Sequence, residues 1–227
     1  MDLDGRVVIV IGAGGGLGRP IARRLAAAGA TLVLAGPHPE RLPVDEHPDA
    51  LALALDLRDP RAGDGLVDAV IERHGRIDGL VNAAGVVAFG PLVDTDDAVI
   101  EELFLTNVVG PLWLLRRVAP HLAATEGVVV HISAVVAEQP MAGMAAYSAS
   151  KAALSAADAA LFRELRRQKV RVCDVRPPHT ETGLADRPLS GSSPRLPEGL
   201  TPDEVAGRVI DAILADDHEV PSSAFAD

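Results

Sequence analysis

One cysteine, Cys173, stands in a chain of 227 residues, so no disulfide can form within it. Its setting, Val170-Arg171-Val172-Cys173-Asp174-Val175, reads as a strand in which the thiol packs rather than attacks. Basic residues are scarce. The 21 Lys and Arg face 32 Asp and Glu, for a formal net charge of −11, and this argues against nucleic acid or an anionic membrane as a partner, since both need a basic face. No apolar run approaches the roughly 18 residues that span a bilayer, and Met1-Asp2-Leu3-Asp4 lacks a basic region followed by an apolar signal core. A cytoplasmic protein is expected. The seven histidines form no helical pair and no Cys/His cluster at ligand spacing, so no metal site is expected either. Tyrosine is present only once, at Tyr147.

Hydrophobic residues make up 48% of the chain, enough to bury one core, and strand and helix patterns alternate without a long break. One domain over residues 1–227 is expected. Val7-Val8-Ile9-Val10-Ile11 is the β-branched apolar run of a strand buried on both faces. It leads into Gly12-Ala13-Gly14-Gly15-Gly16-Leu17-Gly18, a turn whose backbone N–H groups can approach a pyrophosphate. A helix from Arg19 to Ala28 would direct its N-terminus at that anion, and Gly29 would stop it. With a second strand at Thr31–Ala35 the context is that of a dinucleotide site. After that strand such sites carry an acid for the ribose 2′-hydroxyl, or an Arg for a 2′-phosphate. Here stand Gly36 and Pro37, so the choice between NAD and NADP stays open, with His38, Arg41 and Arg19 nearby. A third strand, Leu51–Leu55, ends in Asp56-Leu57, where the carboxylate either accepts from an adenine amino group or turns the strand end.

A helix over Gly63–His74 closes at Gly75, and a fourth strand from Ile77 enters Asn82-Ala83-Ala84-Gly85. A long helix is expected from Asp94 or Thr95 to beyond Trp113, with Asn107 inside it, where Asn is locally unfavourable and is either exposed or held for a polar task. Val128-Val129-Val130 reads as the fifth strand. The next helix carries Tyr147 and Lys151, four residues apart and so on one face, where an ammonium favours the phenolate and lowers the phenol pKa. That makes an acid/base pair. A sixth strand reaches Val175, and residues 183–199, rich in Gly, Pro and Ser, read as a mobile flap over the site. Thr201 caps a last helix with Pro202 at its first position, and the tail around Val220 offers an edge strand.

The ordered set Gly12/Gly16/Gly18, Asp56, Asn82-Ala83-Ala84-Gly85, Asn107 and Tyr147-Ser148-Ala149-Ser150-Lys151 resembles the short-chain dehydrogenase/reductase family over essentially the whole chain. The resemblance implies a Rossmann-type, doubly wound parallel sheet of six to seven strands with helices on both faces. It further implies bound NAD or NADP, hydride exchange with a carbonyl or alcohol substrate, and a homodimer or homotetramer. By the same resemblance Tyr147 is the acid/base, Lys151 holds the nicotinamide ribose, and Asn107 anchors a proton-relay water. The family's serine would fall at Ala134, with Ser133 one place too early and facing away unless the strand end bulges; Ser133 is kept as the candidate hydroxyl. Cofactor contacts are expected at Gly12, Gly14, Gly16, Leu17, Gly18, Asp56, Leu57, Asn82, Ala83, Ala84, Gly85, Tyr147, Lys151, Pro177, Thr180 and Thr182. Ile11, Ala83 and Pro178 also depart from the family pattern. Beside the oxidoreductase reading stand a dinucleotide-binding sensor or partner protein with little turnover, and a non-redox reaction in which Tyr147 moves a proton.

Overall fold

The computed structural model describes residues 1–226. Seven strands, β1 (Val7–Ile11), β2 (Thr31–Gly36), β3 (Leu51–Ala54), β4 (Gly79–Asn82), β5 (Val128–Ile132), β6 (Arg171–Val175) and β7 (Glu219–Val220), form one sheet. Their order is β3-β2-β1-β4-β5-β6-β7 and every pairing is parallel. Alternation along β1 divides its side chains between two cores. Val8 and Val10 join Ile21 and Leu25 of α1 (Gly18–Ala27) and Val209 and Ile213 of α6 (Pro202–Ala215). Val7, Ile9 and Ile11 face the other way, onto Leu66 and Val70 of α2 (Ala62–His74), Leu114 and Val118 of α4 (Gly110–Thr125), and Leu165 of α5 (Ala145–Leu165). This is the doubly wound arrangement expected, with the tail supplying the seventh strand. Consecutive strands proceed outward from β1 in one direction and then restart at β4 in the other, so the ends of β1 and β4 diverge and leave a crevice.

Local chemistry explains the boundaries. Gly29 (φ +86°) and Gly75 (φ +71°) end α1 and α2 in a conformation that costs glycine little. Thr201 and Glu204 form a reciprocal capping box at α6: the Thr201 hydroxyl accepts from the Glu204 N–H at 3.3 Å, and the Thr201 N–H donates to the Glu204 carboxylate at 2.7 Å. Cys173 is buried, and desolvation pushes its thiol up to about 12, as suits a packing residue.

Two expectations need correction. The helix placed at Asp94 or Thr95 starts later, at Asp97, because the Thr95 hydroxyl donates to the Pro91 carbonyl and closes a 3₁₀ turn over Leu92–Asp94. It is also not uniform: α3 (Asp97–Phe104) passes through a π turn, Leu105–Val109, before α4, and Pro111 falls in the first turn of α4, where a missing N–H is tolerated. Second, the whole span Asp97–Thr125 is long and apolar enough to cross a membrane by length and composition, with 39% of its most apolar window buried in the fold. Thr106, Asn107 and Gly110 interrupt the apolar letters without lowering the mean much, which is why inspection for unbroken runs passes over it. Within residues 183–199 the backbone pairs with the loop after β4 at two places: Leu189 N–H donates to Val87 O at 2.8 Å and Phe89 N–H to Ser190 O at 2.9 Å. Backbone pairing of this kind leaves no mark in side-chain periodicity.

Candidate active site

A cavity of about 490 Å³ opens in the crevice. At one end it is walled by the turn between β1 and α1, with Gly12, Gly14, Gly15, Gly16 and Leu17 on its surface; at the other by Ala134, Met144, Tyr147 and Lys151. The turn fits a pyrophosphate. The first turn of α1 holds no acidic side chain, but its Arg19 and Ile21 N–H groups already donate to Gly15 O and Leu17 O and Pro20 has none, so an anion would be met by the N–H groups of the glycine turn ahead of the helix. Gly18 fits only as glycine, because a Cβ there would lie 2.7 Å from the Gly12 carbonyl carbon; it lets the turn fold back on α1 and does not itself reach the cavity. Ala83, Ala84 and Gly85 line the floor, whereas Asn82 acts from behind: its Oδ1 accepts from the Ala84 N–H at 3.2 Å and shapes that bend.

Beyond the glycines the cavity meets Gly36, Pro37, His38, Arg41, Asp56, Leu57 and Arg58. Asp56 is not a free acceptor. Arg58 grips its carboxylate through Nε at 3.0 Å and Nη2 at 2.8 Å, reaches Glu102 at 3.1 Å, and holds the Asp56 carboxyl below the usual range. Sequence reasoning misses Arg58, although its position two residues after Asp56 permits the pairing. Leu57 is buried, and Pro177, Thr180 and Thr182 border the cavity from the segment after β6.

Tyr147 is 7% exposed and Lys151 4%. Burial raises the phenol above its ordinary value and lowers the Lys151 amine to about 8, with Asp174 opposing that fall. The expected depression of the phenol by Lys151 is therefore not what the structure shows: desolvation wins, and the ammonium donates to the Ile132 carbonyl at 2.9 Å. At neutral pH Tyr147 is a proton donor.

Asn107 is buried and held for a polar task. Its Oδ1 accepts from the Val86 N–H at 2.9 Å, and its Nδ2 donates to Val86 O at 2.9 Å and to Ser150 Oγ at 3.0 Å. The π turn swings this side chain toward the loop after β4, so Asn107 clamps that loop behind the cavity and is not on its wall. Ser133 is corrected more sharply. Its hydroxyl donates to Asp174 Oδ1, and Ser155 Oγ lies 3.2 Å away. Strand alternation turns its hydroxyl toward α5 although the residue still borders the cavity, while Ala134, extended at φ −175°, packs with Tyr147 there. The hydroxyl is thus spent elsewhere, and the residue beside Tyr147 has none.

A model of the short chain dehydrogenase family matches residues 6–190. The chain belongs to that family. This short-chain dehydrogenase is 33% identical over 232 residues to an uncharacterized oxidoreductase of Methylorubrum extorquens, covering 95% of this chain and 92% of the relative. It is 31% identical over 238 residues to a dehydrogenase/reductase SDR family protein 7-like of Anopheles gambiae, covering 96% and 75%. A short chain dehydrogenase/reductase of Burkholderia phymatum, solved in complex with NAD, shares its fold with a TM-score of 0.89 at 25% identity, over 97% of this chain and 90% of that one. The short-chain dehydrogenase described here is accordingly an oxidoreductase by family, and Tyr147, Lys151 and Ala134 stand together on the wall of its cavity.

Proposed function

We propose that the protein is an NAD(P)-dependent oxidoreductase that exchanges a hydride between the nicotinamide and a carbonyl or alcohol, with Tyr147 as acid and base. The observation that carries this reading is a cavity bordered at one end by the glycine turn and at the other by Tyr147 and Lys151. The dinucleotide supplies or takes the hydride. Tyr147 donates its phenolic proton to the substrate oxygen in reduction and must take one back in oxidation; its burial favours the first direction near neutral pH. Lys151 brings an ammonium to the cavity wall. Phe89, Met141, Met144, Leu184 and Leu196 favour an apolar substrate, and the paired segments at Val87–Phe89 and Leu189–Ser190 help to exclude water.

His38 and Arg41 line the cavity beyond β2, and the carboxylate nearest them along the lining, Asp56, is held by Arg58. This favours the 2′-phosphate of NADP over a bare ribose. The cytoplasm is the compartment that suits such a reaction. Titration of the purified protein with NADPH and NADH is expected to give binding of both, tighter for NADPH. A panel of ketones, quinones and alcohols followed by nicotinamide absorbance is then expected to give turnover on at least one apolar member. Ala134 favours a second reading, a dinucleotide-binding sensor, and binding without turnover across the whole panel would move the assignment to it.

The same proposal includes a homodimer or homotetramer built on the helices around Asp97–Thr125 and α5. Ala156 and Ala160 stand exposed one turn apart on α5, and small residues allow close helix approach. Light scattering at micromolar concentration is expected to return at least twice the 23.6 kDa chain mass; a monomer would count against it.

A further inference from the structure

A helix laid on a parallel sheet normally buries an apolar stripe. Here α5 presents Lys151, Ser155 and Asp158, at spacings of four and seven, to His131 and Ser133 at the end of β5 and Asp174 of β6. His131, Asp158, Ser133 and Asp174 are all buried. Two of these contacts converge on one carboxylate: Ser133 Oγ donates to Asp174 Oδ1, and Ser155 Oγ donates to Asp174 Oδ2 at 2.6 Å. Ser133 directly follows Ile132, whose carbonyl accepts from Lys151 Nζ, and Ser155 lies one turn beyond Lys151 on the same helix. The two oxygens of Asp174 are therefore tied to the two pieces of backbone that seat the lysine.

We infer that Asp174 is a positioning residue for Lys151: through Ser133 and Ser155 its carboxylate fixes the seat of the ammonium and keeps that amine charged beside the cavity. The part this gives Lys151 in turnover rests on the oxidoreductase reading; the electrostatic link does not. An ammonium removed from water needs a countercharge, or it gives up its proton. The groups that face this region are few. Tyr147 and Asp158 come from α5, Asn107 from the π turn, His131 from β5, and Asp174 from β6. Asp158 is engaged by His131 at 2.6 Å. Arg176 stands 3.6 Å from Asp174 but is itself paired with Glu138 at 2.8 Å and with Glu219, so it does not by itself cancel the Asp174 charge. Asp174 is the carboxylate tied to the lysine's seat: burial pushes its carboxyl above the usual range, the hydrogen bonds from Ser133 and Ser155 pull it back toward the charged form, and it opposes the fall of the lysine pKa on burial.

The chain has only two lysines, Lys151 and Lys169, so ¹³Cε-lysine labelling yields two resonances to follow against pH. Lys169, exposed and 2.5 Å from Glu126, serves as the internal reference. In Asp174→Asn, which keeps the shape and removes the charge, the Lys151 midpoint is expected to move down by about one pH unit or more, with the reference unmoved. Asp174→Glu should recover part of the shift. NADH and NADPH affinity measured at pH 8 should fall several-fold in Asp174→Asn and converge with that of the unaltered protein at pH 6. If Asp174→Asn does not fold, the double change Ser133→Ala with Ser155→Ala strips both donors from the carboxylate, lets it protonate, and must also lower the midpoint. An unmoved Lys151 midpoint in the folded variant overturns the inference even if turnover is intact, whereas absence of turnover on every substrate defeats the oxidoreductase reading and leaves the titration result standing.

Discussion

Replacing Gly16 with valine is expected to abolish dinucleotide binding in a protein that still folds. A Cβ at Gly16 would sit 2.8 Å from Thr182 Cα and closer still to its carbonyl oxygen, and both of these atoms are backbone. Real Cβ atoms do not approach backbone so closely, so either the turn or the segment after β6 must move. Valine adds two methyl groups to that crowding, in a turn whose N–H groups would otherwise face the pyrophosphate. The effects reinforce one another. Thr180 and Thr182 are displaced from the same cavity whose phosphate end the turn forms, so a loss of affinity beyond a hundredfold is expected. The sheet does not depend on this contact, because Gly16 lies outside the strands and both cores. Fluorescence titration with NADH and NADPH, alongside circular dichroism to establish folding, measures the effect. Unchanged affinity in a folded Gly16→Val protein would remove the pyrophosphate from this turn.

That turn is legible in the sequence because its constraints are local. A β-branched run, a glycine cluster and a helix with a glycine stop are each written in a few consecutive residues, and the structure reproduces them with shifts of one or two positions. Asp56 shows where such reading ends. Its place at the end of β3 is plain, yet its partner Arg58 also reaches Glu102 on α3, and that link depends on how the helix packs. Asn107 shows the same limit differently: its unfavourable place inside a helix marks it for a task, but the π turn that delivers it to Val86 has no local signature. Lys151, Ser155 and Asp158 lie at helical spacing, which a sequence can show as a polar face. What they meet, on β5 and β6, is set by the register His131↔Asp174, which only the folded sheet provides. The phenol pKa escapes sequence reading for a related reason, since desolvation depends on everything packed around Tyr147 and the lysine is only one neighbour.

Introducing a hydroxyl beside Tyr147, by Ala134→Ser, is expected to raise turnover. Reduction of a carbonyl builds negative charge on its oxygen, and a donor aimed at that oxygen lowers the barrier; loss of one such donor costs roughly 2.7–4 kcal/mol, about a hundred- to a thousandfold in rate. Alanine supplies no donor, and the adjacent Ser133 cannot turn back, because its hydroxyl is bound to Asp174 on the far side of the strand. Ala134 belongs to the cluster around Tyr147 and borders the cavity, so a serine Oγ there would emerge on the side where the proton is transferred. The added atom is small and the backbone at this position is extended, a conformation serine adopts without strain. Tyr147→Phe, which deletes the phenolic proton and little else, is expected to remove activity in both backgrounds while leaving NADPH binding in place. The unaltered protein, Ala134→Ser, Tyr147→Phe and the variant carrying both changes form a double-mutant cycle when their kcat values are measured on one substrate. If the serine raises the rate only when the phenol is present, the two act on the same oxygen. If Ala134→Ser leaves the rate flat, no donor is missing at that position, and if Tyr147→Phe is harmless the acid lies elsewhere.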